Sequence, residues 1–275
     1  MKLEILMSAM HQENFDIAYR SKVDSDLLII NQCDKDDYTE IEVNGHIWRM
    51  ISTTERGLSK SRNMALKNAK GDICLLADDD ELFEEGYEQT IIQAYKNIPQ
   101  ASSVVFNLHR INFKMKKTYY QISSIRVAPP YRGYSSQMVT FKREIIQKHN
   151  FCFNEHFGSG TQWGGGEEIL FQRDIRKAGL KIYEHPQYIA TIDYGNGSNW
   201  FTGYDEKYFY NLGAFVGFSH SNFFYRKLRE LYTCYRLRRE NKLSVYQKMR
   251  WMHLGEKGFK KNVTYKQYVE EFRKD

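Results

Sequence analysis

The chain has 275 residues, with 40 Lys and Arg against 34 Asp and Glu for a formal net charge of +6; 41% of it is hydrophobic, 15% aromatic, and Pro occurs 4 times. That composition excludes a disordered or low-complexity chain and supplies core enough for one large α/β domain, alone or with an appendage. The charge excess is mild and suits an anionic substrate or a membrane surface as well as nucleic acid. Cys33, Cys74, Cys152 and Cys234 lie far apart and form no metal-ligand pair, which fits a reducing compartment. The opening Met1-Lys2-Leu3-Glu4-Ile5-Leu6-Met7 carries an acid within an apolar run too short for a signal peptide. No apolar run in the chain is long enough to span a bilayer.

Leu3 to Met7 reads as a strand, Asp16 to Lys22 as a short helix, and Asp26 to Asn31 as a second, continuously apolar strand ending at Asn31-Gln32-Cys33-Asp34. A third short strand, His46 to Ile51, follows a polar loop. Continuous apolar strands point to a parallel sheet covered on both faces. In Gly57-Leu58-Ser59-Lys60-Ser61-Arg62-Asn63, Ser59 is a candidate N-cap for a helix that runs to Lys70 and stops at Gly71. Arg62 lies near that helix start, where free backbone N–H groups and a guanidinium suit a phosphate; a surface helix with basic decoration is the plainer reading. The apolar run Ile73-Cys74-Leu75-Leu76 then leads into Asp78-Asp79-Asp80-Glu81. Carboxylates crowded at the carboxyl end of a strand stand where open α/β sheets bind ligands. Their mutual repulsion calls for a compensating charge, and a short all-oxygen cluster suits Mg2+ or Mn2+ bridging to phosphate. An acidic turn or helix start is the alternative.

Glu84 to Lys96 reads as a helix, Ser103 to Leu108 as a strand, His109 to Tyr134 as irregular, Met138 to Phe141 as a strand and Lys142 to His149 as a short helix. A glycine-rich loop, Phe157 to Gly166, then opens a helix from Glu167 to Ala178. Glu168, Phe171 and Ile175 share one face at i, i+3, i+7 spacing, which makes Glu168 a general-base candidate. Glu167 aligns with Leu170 and Asp174, is less clearly inward, and reads as a complement to the helix dipole. Strands follow at Lys181 to Pro186 and Tyr188 to Ile192; the lone His185 could meet a metal or a phosphate, but a lone histidine more often meets neither. Asn196-Gly197-Ser198-Asn199-Trp200 is a polar loop able to fold over a ligand.

From Tyr204 helical patterns dominate, dividing the chain into an α/β domain over 1–203 and a helical region over 204–275, associated with a membrane or an acceptor. Within Ser221 to Asn241, Phe224, Leu228, Leu231 and Tyr235 form one stripe, with Arg226, Lys227, Arg229, Arg236, Arg238 and Arg239 around it. Such a helix can lie on an anionic membrane or pack on the main domain with its basic face in water; the packing reading is preferred. The expected location is the cytoplasm, free or peripheral at the inner face of the cell membrane.

The blocks Gly57-Leu-Ser-Lys-Ser-Arg62-Asn63, Gly71-Asp72-Ile-Cys-Leu-Leu-Ala-Asp78-Asp79-Asp80-Glu81 and Gly166-Glu167-Glu168, in order and at family-like spacing, resemble glycosyltransferase family 2 over roughly the first 200 residues. The resemblance implies a GT-A fold, an α/β/α nucleotide-sugar-binding sandwich. It also implies inverting transfer from a nucleotide-sugar, UDP-hexose by family frequency, to a hydroxyl of a glycan or lipid-linked acceptor, as in bacterial capsule and surface-polysaccharide synthesis. It implies Asp34 at the nucleobase, Arg62 near the nucleotide phosphates, and Asp78 and Asp80 as the Asp-x-Asp motif holding Mn2+ or Mg2+. A one-residue ambiguity of register leaves Asp79 a donor-site candidate. Glu168 would be the catalytic base, with Glu167 open because the pair here is Glu-Glu.

The residues fit that chemistry independently, since a carboxylate-held cation can stabilise a leaving diphosphate and a positioned carboxylate can take the acceptor proton. One competing class is a sugar-phosphate nucleotidyltransferase, against which Ser8-Ala9-Met10-His11-Gln12-Glu13 lacks the expected glycines. The other is a non-catalytic protein binding RNA or an anionic ligand, against which the acidic cluster stands in the expected cleft.

Overall fold

The computed structural model describes residues 1–112, 120–196, 203–220 and 222–272. Residues 197–202, which hold most of the polar loop expected to cover a ligand, lie outside the described residues, as do 113–119. The chain forms two compact units: Met1–Glu155 with Glu167–Gly197, and His156–Gly166 with Ser198–Asp275.

The first unit is built on a ten-stranded mixed sheet. Its elements are β1 (Leu3–Met10), α1 (Asp16–Arg20), β2 (Asp26–Gln32), β3 (Asp37–Val43), β4 (His46–Thr53), α2 (Leu58–Asn68), β5 (Ile73–Asp78), β6 (Glu81–Phe83), α3 (Tyr87–Asn97), β7 (Ser103–Ile111), β8 (Arg126–Val127), β9 (Val139–Lys142), α4 (Arg143–Lys148), α5 (Glu167–Lys177) and β10 (Ile182–Asp193). The strand order is β3-β4-β2-β1-β5-β9-β7-β10-β6, with β8 on β10. The continuously apolar strands β1, β2 and β5 are parallel and buried along nearly their whole length, as burial on both faces requires. Their register sets Ser8 opposite Asp78, and Ala9 and Met10 opposite Asn31 and Gln32. The chain leaves β1 toward β2 on one side and returns to β5 on the other. The carboxyl ends of β1 and β5 therefore flank a topological switch point, the ligand crevice of open α/β sheets.

Several boundaries differ from the sequence reading, each for a local reason. The polar loop before β4 is strand β3, an exposed edge strand paired antiparallel to β4; its mixed sequence DYTEIEV carries no apolar run to mark it. Ser59 is not the N-cap of α2. Gly57, at φ 117, takes that place, Ser59 is buried, and the Gly57 N–H donates to Gln32 Oε1 (2.7 Å). The two closing strands are one, β10, whose register shifts between Glu184 and Tyr188 and so accommodates Pro186.

The second unit is helical: α6 (Glu206–Ser219), α7 (Phe223–Arg236), α8 (Val245–Lys261) and α9 (Tyr265–Phe272). Trp163 and Phe157 of the glycine-rich loop set their rings 4.8 Å and 5.8 Å from that of Phe259 on α8. α8 starts with a capping box between Ser244 and Gln247. The stripe Phe224, Leu228, Leu231 and Tyr235 of α7, expected to pack inward, is exposed. No helix among the described residues is long and apolar enough to cross a membrane.

α6 and α8 approach backbone to backbone because glycines face each other. A Cβ on Gly213 would stand 1.9 Å from the Met252 carbonyl oxygen, and one on Gly255 1.8 Å from that of Tyr210. Gly213→Ala therefore forces the helices apart and is expected to lower stability by about 1–3 kcal/mol, the usual cost of overpacking. Chemical denaturation measures the loss. An unchanged midpoint would show that the crossing is loose.

Candidate active site

The site is organised by Arg62 of α2. Its guanidinium is buried, and its Nη1 donates to Glu167 Oε1 (2.7 Å) while Nη2 donates to Asp78 Oδ1 (3.0 Å) and to Ser136 Oγ (2.7 Å). Burial opposes the Arg62 charge, but Asp78, Glu167 and Glu168 outweigh it and hold the pKa above the ordinary arginine value. Below the guanidinium lies Phe153, 5.5 Å from ring centroid to Arg62 Cζ, itself stacked on Phe171 of α5 at 4.3 Å. Asn63 fixes Phe153 by both backbone groups, donating to its carbonyl (3.0 Å) and accepting from its N–H (2.7 Å). The side chain expected near the donor phosphates thus spends both terminal nitrogens on carboxylates and a serine.

Asp78 closes β5, with both oxygens occupied: Oδ1 by Arg62 and Oδ2 by Gln137 Nε2 (2.8 Å). Asp79 and Asp80 form the turn into β6 and are exposed. Partial desolvation first, then the charges of Asp78 and Asp79, push the Asp80 carboxyl up to about 6. Desolvation and Asp78 raise Asp79 as well. Glu81 is buried; its Oε1 accepts the Asp78 N–H (2.8 Å) and its Oε2 has no partner, so burial and then Asp78 raise it well above the ordinary value. Among the described residues no three His, Cys, Asp or Glu side chains converge as a preformed metal cage. The donor set nonetheless fits a hard divalent cation, which needs only one or two carboxylates when phosphate oxygens and water complete its shell. Asp80 makes no salt bridge among the described residues, and the charges of Asp78 and Asp79 add to its desolvation.

The glutamate pair begins α5 directly after Gly165 and Gly166, both at positive φ (78° and 93°). Glu167 is the buried member at 5% exposure, whereas Glu168 is only half-buried, the reverse of the helix phase read from the sequence. Arg62 explains the difference: its ion pair draws Glu167 inward above Leu170 and Phe171. Glu168 is pushed up to about 8, by desolvation first and then by the Glu167 charge; Arg62 opposes the shift.

On the other side of β1, Asn31 Nδ2 donates to the Gln12 carbonyl (2.8 Å) and Ser52 Oγ (3.0 Å). Asp34 is 89% exposed and pairs with Arg56 Nη2 (2.6 Å), whose Nη1 also donates to the carbonyls of Cys33 (2.9 Å) and Thr54 (2.8 Å). His185 packs its ring on Phe106 (5.1 Å between centroids), and burial lowers its pKa, as for an interior histidine. The sequence reading missed Ser136, Gln137 and Arg56. Ser136 and Gln137 sit in a single 3-10 turn, Ser136–Met138, which has no periodicity to reveal it.

A GT-A sandwich with an acid cluster at its switch point defines a nucleotide-sugar-type glycosyltransferase fold. The sequence profile of the family described as glycosyl transferase family 2 matches residues 3–171, and the chain belongs to that family. Among solved structures it is similar to Staphylococcus aureus TarS 1-349 in complex with UDP-GlcNAc, with TM-score 0.57 and 13% identity over 98% of this chain and 79% of that one. The same TarS fragment in complex with UDP gives TM-score 0.54 and 13% identity over 98% and 78%. No curated protein matches the chain in sequence.

Two expectations follow. Arg62→Ala leaves Asp78 and Glu167 without their cation and should cost about 3–5 kcal/mol, the usual penalty for breaking a buried pair from one side. Adding Glu167→Gln should recover part of that loss in a double-mutant cycle. A loss no larger than that of the exposed control Arg239→Ala would mean that the network is not coupled. The second concerns pH. Asp80 and Glu168 keep their protons in the folded chain where the unfolded chain has lost them, so folding stability falls as pH rises through about 6 and about 8 respectively. Glu168→Gln should thus raise the melting temperature of the ligand-free protein above pH about 8 and leave it unchanged near 4.5. A uniform shift at both pH values would rule out the ionisation as the cause.

Proposed function

We propose that the protein transfers a sugar from a nucleotide-sugar donor, UDP-hexose being the first candidate, to a hydroxyl of a glycan or lipid-linked acceptor, with inversion. Its setting on this reading is surface-polysaccharide synthesis in the cytoplasm. The observation that carries the reading is that one buried guanidinium, Arg62, joins the head of the acid cluster to the glutamate pair. A single inverting displacement needs charge stabilisation at the leaving diphosphate and a base at the attacking hydroxyl, and these are the two groups that Arg62 links. The choice of UDP is supported by the TarS structures, solved with UDP-GlcNAc and with UDP.

Glu168 is the base in this scheme: it carries no salt bridge among the described residues and is raised to about 8. Glu167, tied to Arg62, stands beside Glu168 and raises the proton affinity of that base. Arg62 acts as a positioning residue. Asp34 and Asp79 are the donor-side candidates. Mn2+ or Mg2+ would be held by Asp80 with Asp78 alongside, and when bound would offset charge on the diphosphate.

UDP-sugar with Mn2+ should raise the melting temperature by mass action, and Asp80→Asn or a chelator should remove the Mn2+-dependent part. Glu168→Gln should keep that shift yet release UDP ~10²–10⁴-fold more slowly with a working acceptor. In the wild type, kcat/KM should climb with pH toward a plateau above about 8, because the base works deprotonated. Normal turnover by Glu168→Gln, with Glu167→Gln inactive, would assign the base to Glu167. Undiminished turnover in excess chelator would remove the metal.

A further inference from the structure

Helix α7 is built inside out. The residues it turns toward α8 are charged or small. Arg226 and Lys227 pair with Glu256 (3.1 and 3.3 Å), Lys227 also pairs with Glu230 (2.8 Å), and Cys234 Sγ lies 3.5 Å from Met252 Sδ. Its apolar stripe faces water: Phe224 is 77% exposed, Leu228 67% and Tyr232 65%, with Leu231 and Tyr235 exposed between them. These five side chains fall within one side of the helix, since positions three, four and seven apart share a face. Soluble monomers rarely leave so large a contiguous apolar patch without an occupant.

We infer that this face lies on an anionic lipid membrane. Charge selects the occupant. The one acid of α7, Glu230, is 1% exposed and spent on Lys227, so the outward face carries no carboxylate. Immediately beyond, Arg236, Arg238, Arg239 and Lys242 are exposed against a single exposed acid, Glu240. Arg238 stands over the Tyr235 ring (4.1 Å from Cζ to centroid), which joins the basic cluster to the end of the stripe. An anionic headgroup layer answers those cations while Leu228, Leu231 and the rings enter the headgroup–acyl boundary, the arrangement of interfacial amphipathic helices. A second copy of the chain fits less well, because a two-fold contact would set the same basic cluster against itself. Single-stranded nucleic acid would use the rings and cations but leave the aliphatic centre of the stripe in water. The inference stands apart from the transferase chemistry, and binding is read without turnover, so its failure leaves that chemistry untouched.

The test uses the full chain and co-sedimentation with vesicles of equal parts phosphatidylglycerol and phosphatidylcholine, against pure phosphatidylcholine, at low and high salt. The wild type should bind the anionic vesicles and lose affinity as salt rises. Arg238→Gln with Arg239→Gln should weaken binding by roughly 30-fold, about fivefold for each charge. Phe224→Ser with Leu228→Ser should abolish it, and both pairs should keep the wild-type melting temperature. Absence of wild-type binding at low salt would overturn the inference, as would variants that bind like the wild type. It would also fall if the apolar pair turned a dimer into a monomer, or removed poly(U) binding, without affecting vesicles.

Discussion

Almost every feature of the candidate site depends on one buried cation. Arg62 is taken out of water at the start of α2, where desolvation disfavours its charge, and the carboxylates of Asp78, Glu167 and Glu168 make that position tolerable. The converse holds for them: Glu167 on α5 and Asp78 at the end of β5 are far apart in sequence, and the guanidinium is what brings them to one place. Its flat fork serves two acids and a serine hydroxyl at once, which the point charge of a lysine could not do.

The balance around that cation is deliberately incomplete. Arg62 offers two occupied terminal nitrogens to a neighbourhood that also contains Glu168, Asp79, Asp80 and Glu81. Proton affinities are raised at Asp79, Asp80, Glu81 and Glu168, by desolvation first and then by the charge of neighbouring carboxylates.

Much of this was legible in the sequence where a local rule applied. The unbroken apolar runs of β2 and β5 announced a parallel sheet, and Asp78-Asp79-Asp80-Glu81 just past one of them announced acids at its carboxyl edge. What was not legible depended on partners far along the chain. The inward turn of Glu167 follows from Arg62, 105 residues away, and helical spacing alone gave the opposite order of burial. The capture of Asp78 by Gln137 arises from a three-residue turn without periodicity. In α7 the apolar stripe was read correctly, but its direction was not, because ion pairs to Glu256 and not hydrophobic burial decide which side meets α8.

The other buried acids of the first unit show that the imbalance is local. Glu4 accepts from Arg49 and from the N–H groups of Lys70 (2.6 Å) and Gly71 (2.9 Å), a fully answered carboxylate tying β1 to the end of α2. Glu184 in β10 takes Arg126 (2.6 Å), Arg132 (3.3 Å) and the Tyr134 hydroxyl; burial opposes its charge, but these donors outweigh burial and lower its pKa. Each of these acids is supplied with donors in keeping with the cost of burying a charge. Glu81 and Glu167 each retain a buried oxygen with no hydrogen-bond partner, and they lie on either side of Asp78 and Arg62. Within the first unit, then, Glu4 and Glu184 are fully supplied with donors, while Glu81 and Glu167 are left short where β5 ends and α5 begins. That contrast sets Glu81 and Glu167, beside Asp78 and Arg62, apart from Glu4 and Glu184, whose donors tie β1 and β10 to their neighbours.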